Sequence, residues 1–131
     1  MTVLPRRIGG CALVLSLSAS AVWADADDYR FDLDSTDHQV GSGAVIELLL
    51  TDLRSGQPVA DAVIYATRMD MAPDGMATMT SPVTAMPTEA PGRYRFATDI
   101  TMAGGWRFSL AAKIQGEPET VKAEIELRAE P

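Results

Sequence analysis

The segment VKAEIELR at residues 121–128 has the clearest hydrophobic pattern of the chain. Apolar Val121, Ala123, Ile125 and Leu127 alternate there with charged residues. A period of two residues places the apolar side chains on one face of a β-strand and the charges on the other. This segment therefore predicts a half-buried strand near the C-terminal end of a β domain.

Five further segments resemble strands, and Gly- or Pro-containing turns separate most of them. A seventh strand is expected within the less regular segment 77–84, and residues 35–43 are predicted to form a polar turn. Short strands at regular spacing, with no amphipathic helix, are typical of small all-β domains. We predict an antiparallel immunoglobulin-like β-sandwich of about seven strands, with Trp106 at the centre of its core. The five further strands are expected at residues 29–34, 44–53, 59–67, 93–98 and 106–111.

The first 24 residues have the features of a secretory signal peptide. A basic start at residues 1–7 precedes an apolar run at 8–19, and residues 22–24 offer a cleavage site. The apolar run is short for a transmembrane helix. We therefore expect residues 1–24 to be a cleaved signal for the general secretory route. Residues 25–131 would then form a periplasmic domain without stable membrane insertion.

The composition of this mature part argues against several classes of protein. The whole chain carries a net charge of −7, and its only cysteine, Cys11, lies in the predicted signal. An acidic domain without a basic cluster is a poor partner for nucleic acid. Without cysteine, a disulfide or a thiolate zinc site is excluded, and no nucleophile or phosphate-loop motif is present. We predict a non-enzymatic domain that is a monomer.

Residues 68–87, RMDMAPDGMATMTSPVTAMP, hold five of the seven methionines. The segment has no helical period, and its prolines and glycine indicate a turn-rich loop that the β scaffold does not need in order to close its core. Methionine is a flexible residue that serves in cores and at adaptable protein-binding surfaces. Its thioether sulfur is also a soft ligand that selects Cu(I). Both interpretations stay open from the residue types alone.

The metal interpretation names five candidate ligands. If Met69 and Met71 continue a strand, their side chains point to the same face. The turn at residues 73–75 could fold Met76 and Met79 back toward that face. His38 is the only histidine and could complete a Cu(I) site, although nothing in the sequence places it near the methionines.

The order of several short motifs resembles the YtkA-like, or FixH-like, domain family. The motifs are GQPVADAVI at 56–64, the methionines of 69–79, PGRY at 91–94 and MAGGW at 102–106. The resemblance spans about residues 40–128 and implies an immunoglobulin-like sandwich of the bacterial periplasm or cell envelope. It also implies an association with copper or heavy-metal handling and with cytochrome oxidase maturation.

Two functions follow as predictions. The first is a periplasmic protein that binds or passes on copper through its methionines. The alternative is an accessory module that docks on an envelope complex, such as an efflux adaptor or an oxidase under assembly, without a metal. The chain departs from the family pattern at one point that bears on the choice between these functions. Residues 72–75 separate the two pairs of methionines.

Overall fold

The computed structural model describes residues 28–131, so the predicted signal peptide lies outside the described residues. This part of the chain forms ten β-strands, and a short 3-10 turn at Ala72–Asp74 follows the fifth. None of the helices within residues 28–131 is both long and apolar enough to span a bilayer. The strands are β1 (Tyr29–Leu33), β2 (Asp37–Gln39), β3 (Gly41–Asp52), β4 (Gln57–Pro58), β5 (Ala62–Met71), β6 (Met76–Ser81), β7 (Val83–Met86), β8 (Arg93–Ile100), β9 (Gly104–Ile114) and β10 (Val121–Glu130).

The strands form two five-stranded sheets that face each other. The first sheet has the order β1-β3-β8-β7, with β4 added beside β3, and the second has the order β2-β10-β9-β5-β6. Only the β2–β10 pair is parallel among the described strand pairs. One core cluster contains Ile46 and Phe96 of the first sheet together with Phe108 of the second. The predicted immunoglobulin-like β-sandwich is therefore confirmed.

The six strands predicted from alternation are all present. In β10, Val121 and Leu127 are buried while Lys122 and Glu124 are exposed, as the pattern predicts. Trp106 has no accessible surface, and its indole Nε1 donates a hydrogen bond of 3.0 Å to the carbonyl oxygen of Met102. The predicted position of Trp106 in the core is confirmed.

Two details of the prediction are wrong. The expected turn at residues 35–43 contains β2 and the start of β3. The seventh strand expected within residues 77–84 is two strands, β6 and β7, which belong to different sheets. Pro82 separates them because proline has no N–H for a strand ladder. At Pro82 the chain crosses from the second sheet to the first. The Thr98 hydroxyl stabilises this crossing by donating a hydrogen bond to the carbonyl oxygen of Pro82.

The glycine pair at the start of β9 lets the 3-10 turn lie directly on the sheet. A Cβ atom at Gly104 would collide with the carboxylate of Asp74 and come within 3.2 Å of Met71 Cε, and Gly104 has φ of +133°. A Cβ atom at Gly105 would lie 2.8 Å from Pro73 Cβ. Both positions therefore require glycine, one of them for its backbone conformation as well.

We expect Gly104→Ala to lower the free energy of unfolding by about 2 kcal/mol, because it combines a strained φ with a steric collision. Gly41→Ala is the matched control, since a Cβ there meets nothing within 4 Å and φ is not positive. Urea denaturation followed by Trp106 fluorescence measures both variants. Equal stability of the two would contradict this account of the contact.

Candidate functional site

The methionine-rich segment is part of both sheets rather than a loop on a finished scaffold. It contains the end of β5, the 3-10 turn, β6 and β7. Met69 and Met71 have no accessible surface and belong to the main core cluster. The expectation that the core closes without this segment is therefore wrong, because β5 runs on to Met71 and its last apolar side chains pack inside the sandwich.

The structure brings two of the four candidate methionines opposite each other. Met71 and Met76 are cross-strand partners of β5 and β6, on either side of the 3-10 turn. Met76 is half-buried against the core, whereas Met79 is 37% exposed. Met69 lies deeper, between Ser81 of β6 and Phe108 of β9 in the strand register. Met71 and Met76 are thus the two candidates that the strand register places opposite each other, and the role of all four methionines as ligands stays a prediction.

His38 is not brought to the methionines. It lies on β2, at the opposite edge of the second sheet from β6. Four strand spacings of about 4.8 Å separate these edges, which gives about 19 Å. The imidazole Nε2 lies 2.9 Å from the carbonyl oxygen of Ser35, so it has a local hydrogen-bond partner. Among residues 28–131, no group of three or more His, Cys, Asp or Glu side chains could hold a metal ion.

A buried carboxylate between Met69 and Met71 was missed by the sequence reasoning. Asp70 has no accessible surface. Its Oδ1 accepts a hydrogen bond of 2.9 Å from the Ala72 N–H, and its Oδ2 accepts bonds of 2.8 Å from Arg68 Nε and 3.1 Å from Arg107 Nη2. The only sequence signal is an aspartate two residues before the start of a turn, where its side chain can bond the backbone.

These bonds decide the ionisation of Asp70. Burial acts most strongly and disfavours the charged form, but the Ala72 N–H and the guanidinium groups of Arg68 and Arg107 together outweigh it. The pKa of the Asp70 carboxyl therefore lies below its usual value. An ionised Asp70 closes the turn between β5 and β6 and fixes two arginine side chains on the outer face of the second sheet.

That outer face has an apolar area beside the two arginines. Val63 and Tyr65 of β5 are 62% and 53% exposed. Next to them, Ala66, Ser109 and Ala111 line a shallow depression of about 210 Å³. We call these five residues the β5 face. Small side chains make it flat, and the exposed valine and tyrosine stand at one end of it.

A second polar cluster closes the other end of the sandwich. The Tyr29 hydroxyl donates a hydrogen bond of 2.6 Å to Glu117 Oε1, and Arg54 Nη2 donates to the Tyr29 oxygen, to Asp52 and to Glu117. Burial, together with the bond to Glu117, raises the pKa of Tyr29 to about 12. Because every charge here has a partner within the chain, we assign this cluster a structural role.

Comparison with protein families matches residues 24–111 to the YtkA-like family. The chain therefore belongs to the YtkA-like family. The related FixH-like assignment stays a prediction. Among curated proteins, no match to the chain is found.

Three solved structures are similar to the chain at low sequence identity. The ZirS C-terminal domain has 15% identity and a TM-score of 0.50, over 88% of this chain and 75% of that chain. A Lin-41 filamin domain has 20% identity and a TM-score of 0.48, over 83% and 98%. A conjugative transposon lipoprotein from Bacteroides eggerthii has 11% identity and a TM-score of 0.35, over 76% and 96%. At 15% identity the likeness to the ZirS C-terminal domain concerns the fold alone.

We expect Asp70→Asn to lower the free energy of unfolding by about 3 kcal/mol at pH 7, because two guanidinium groups lose their charged partner. The folded pKa of Asp70 lies below the unfolded value of about 3.9, so this contribution is present above about pH 4 and is lost as the pH falls through the folded pKa. The difference between wild type and variant should therefore shrink in acid.

Urea denaturation at neutral and acidic pH measures this difference. Asp32→Asn is the matched control, because Asp32 is half exposed and its ion pair with Arg30, two positions earlier, is exposed as well. Its effect should stay within about 0.5 kcal/mol. A gap between wild type and Asp70→Asn that does not change with pH would show that the charge of Asp70 is not what stabilises the turn.

Proposed function

We propose that this chain is a non-enzymatic accessory domain that docks on another protein of the cell envelope through the β5 face. The observation that carries the proposal is the exposure of Val63 and Tyr65 beside a flat, small-residue depression. Large apolar side chains grouped on a surface mark interaction sites more often than single ones do. The periplasmic location and the secretory route belong to the same proposal and rest on the signal-like residues 1–24.

The chemistry of the β5 face suits protein recognition. Tyrosine is enriched at the centre of interfaces because it gives a large contact area with little loss of conformational freedom. The Tyr65 hydroxyl lies 3.3 Å from Thr120 Oγ1, which restrains the ring before any partner arrives. Ala66, Ser109 and Ala111 would let a partner approach closely along the strands.

The rim of the β5 face is charged and held in place. Arg68 pairs with Asp70 and also donates a bond of 2.7 Å from Nη2 to the carbonyl oxygen of Ala77. Arg107 pairs with the same carboxylate and approaches Glu124 at 3.8 Å. Arginines fixed in this way can offer their remaining donors to a partner without first losing side-chain freedom. The buried carboxylate thereby supports the surface above it.

We expect Val63→Ser with Tyr65→Ser to reduce binding to the envelope partner at least tenfold, since loss of a central aromatic anchor costs about 2 kcal/mol or more. Immobilised protein would be incubated with detergent-solubilised envelope under a copper chelator, and the retained protein identified by mass spectrometry and then titrated. Val45→Ser with Leu53→Ser is the control, because both residues are exposed but lie on β3 and the turn after it. Equal retention by both double variants would refute the assignment of this face.

A second candidate function is Cu(I) binding, which the pairing of Met71 with Met76 favours. Two thioethers on neighbouring strands, with Met79 further along β6, offer the soft ligands that Cu(I) prefers. Met71 would have to present its sulfur from the edge of the core. Met76 and Met79 are nearer to solvent, so they would carry the exchange with a donor or acceptor.

We expect Met76→Leu with Met79→Leu to weaken Cu(I) binding at least tenfold in competition with a chromogenic Cu(I) chelator, because leucine keeps the volume but removes the sulfur. Met86→Leu is the control, since Met86 lies on β7 in the other sheet. If both variants bind Cu(I) as tightly as wild type does, the copper site does not include Met76 and Met79.

A further inference from the structure

Both lysines of the chain lie beside the β5 face. Lys113 of β9 is the register partner of Val63, and Lys122 of β10 is the register partner of Ala111. Each lysine is exposed, and the residues before and after it on its strand are buried or partly buried. Because neighbouring side chains of a strand point to opposite faces, both lysines stand on the outer face of the second sheet.

Tyr65 connects the two lysine positions. It lies on β5, whereas Thr120, whose Oγ1 is 3.3 Å from the Tyr65 hydroxyl, comes just before β10. β9 lies between β5 and β10 in the sheet. The ring therefore extends across β9, the strand of Lys113, toward the strand of Lys122. We call Val63, Tyr65, Lys113 and Lys122 the lysine patch.

The lysines differ from the arginines in their contacts. Every arginine within residues 28–131 has an ion pair with a carboxylate of the chain, whereas neither lysine has one there. Glu124, two positions after Lys122, approaches Arg107 instead. Carboxylates are not scarce, because the whole chain has 18 Asp and Glu against 11 Lys and Arg. The ammonium groups of the lysine patch are therefore free to pair with a carboxylate of another molecule.

The apolar and the charged parts of the lysine patch select the same class of partner. A molecule that covers Val63 and Tyr65 also takes the two ammonium groups partly out of water. Removing a charge from water is unfavourable unless an opposite charge or a hydrogen-bond acceptor replaces the water. A partner with carboxylates at these two positions meets that requirement, whereas an uncharged or basic partner does not.

We propose that the β5 face binds an extended acidic segment of the partner protein, whose carboxylates pair with Lys113 and Lys122. The two lysines are diagonal neighbours on adjacent antiparallel strands, which places them about 7–8 Å apart. In an extended peptide, side chains at positions i and i+2 lie on one side, about 7 Å apart. Two acidic residues at that spacing match the two ammonium groups, and an apolar residue next to them contacts Val63 and Tyr65. This inference rests on the proposed docking function and adds the chemistry of the partner.

An anionic membrane or a nucleic acid fits this patch less well than a peptide does. Both present extended negative surfaces, and the chain carries a net charge of −7, so most of its surface is repelled by them. Basic segments that bind anionic lipids group about four to eight Lys or Arg, and the lysine patch has only its two lysines. A peptide segment contacts the patch alone and avoids this repulsion.

Capped hexapeptides test the inference. The first alternates two glutamates with two leucines between terminal glycines, and the matched peptides carry glutamine or lysine in place of glutamate. Each peptide is titrated into the purified chain, and the NMR amide shifts of Tyr65, Lys113 and Lys122 are followed. The glutamate peptide should bind at least tenfold more tightly than the glutamine peptide. Raising the salt from about 0.01 M to about 1 M should remove this preference, because the Debye length falls from about 30 Å to about 3 Å.

Charge reversal supplies the matched variants. Lys113→Glu with Lys122→Glu should weaken binding of the glutamate peptide at least tenfold and should bind the lysine peptide in its place. That gain of binding also shows that the variant is folded. Arg30→Glu with Arg128→Glu is the control and should bind like wild type. It changes the net charge equally, at exposed side chains on β1 and at the other end of β10.

Two results with the peptides would overturn the inference. The first is equal binding of the glutamate and glutamine peptides, and the second is equal weakening by the two double variants. Vesicles of phosphatidylglycerol provide a third arm. If they bind the wild type through the lysines while the glutamate peptide does not bind, the partner is a membrane and the inference is wrong.

The envelope capture experiment separates this inference from the docking function. Retention that is lost in Val63→Ser with Tyr65→Ser but kept in Lys113→Glu with Lys122→Glu supports docking and refutes the acidic segment. Loss of retention in both double variants supports both proposals. Binding of the glutamate peptide without retention of any envelope protein supports recognition of acidic segments and refutes the docking function.

Discussion

The ionised, fully buried carboxylate of Asp70 is the interaction on which the arrangement of this domain depends most. It accepts a bond from the Ala72 N–H and thereby turns the chain out of β5 into the 3-10 turn. That turn lies against Gly104 and Gly105, where Asp74 Oδ2 accepts a bond of 3.1 Å from the Gly105 N–H. The start of β9, and with it Trp106, is positioned by this contact. The same carboxylate holds Arg68 and Arg107 over the outer face, so one buried charge connects the turn, the core and the surface.

Much of the fold could be predicted because alternation is a local property of the sequence. The strands around Trp106 and Leu127 show a period of two residues, and burial of one face follows directly from it. The order of short motifs was enough to indicate the YtkA-like family, which the match over residues 24–111 confirms. These features need no knowledge of which strand lies beside which.

The candidate site could not be predicted to the same extent, because it depends on contacts between distant parts of the chain. The position of His38 follows from the strand order β2-β10-β9-β5-β6, which alternation does not specify. The partners of Asp70 include Arg107, 37 positions further along. The switch of sheets at Pro82 depends on bonds to the neighbouring strand β8. A segment with prolines and without a regular period resembles a loop in sequence, although most of it is strand here.

The methionine content of residues 68–87 has two separate physical origins. Met69 and Met71 fill the core, and Met71 Cε reaches the space above Gly104, where an unbranched side chain passes between the turn and the sheet. Packing therefore accounts for these two residues without a ligand. Met76 is only half-buried against the core and Met79 is 37% exposed on β6, so packing accounts less fully for these two residues. A metal or a protein that reaches this segment from solvent consequently meets first the half that follows the turn, and Asp70 determines where that half lies.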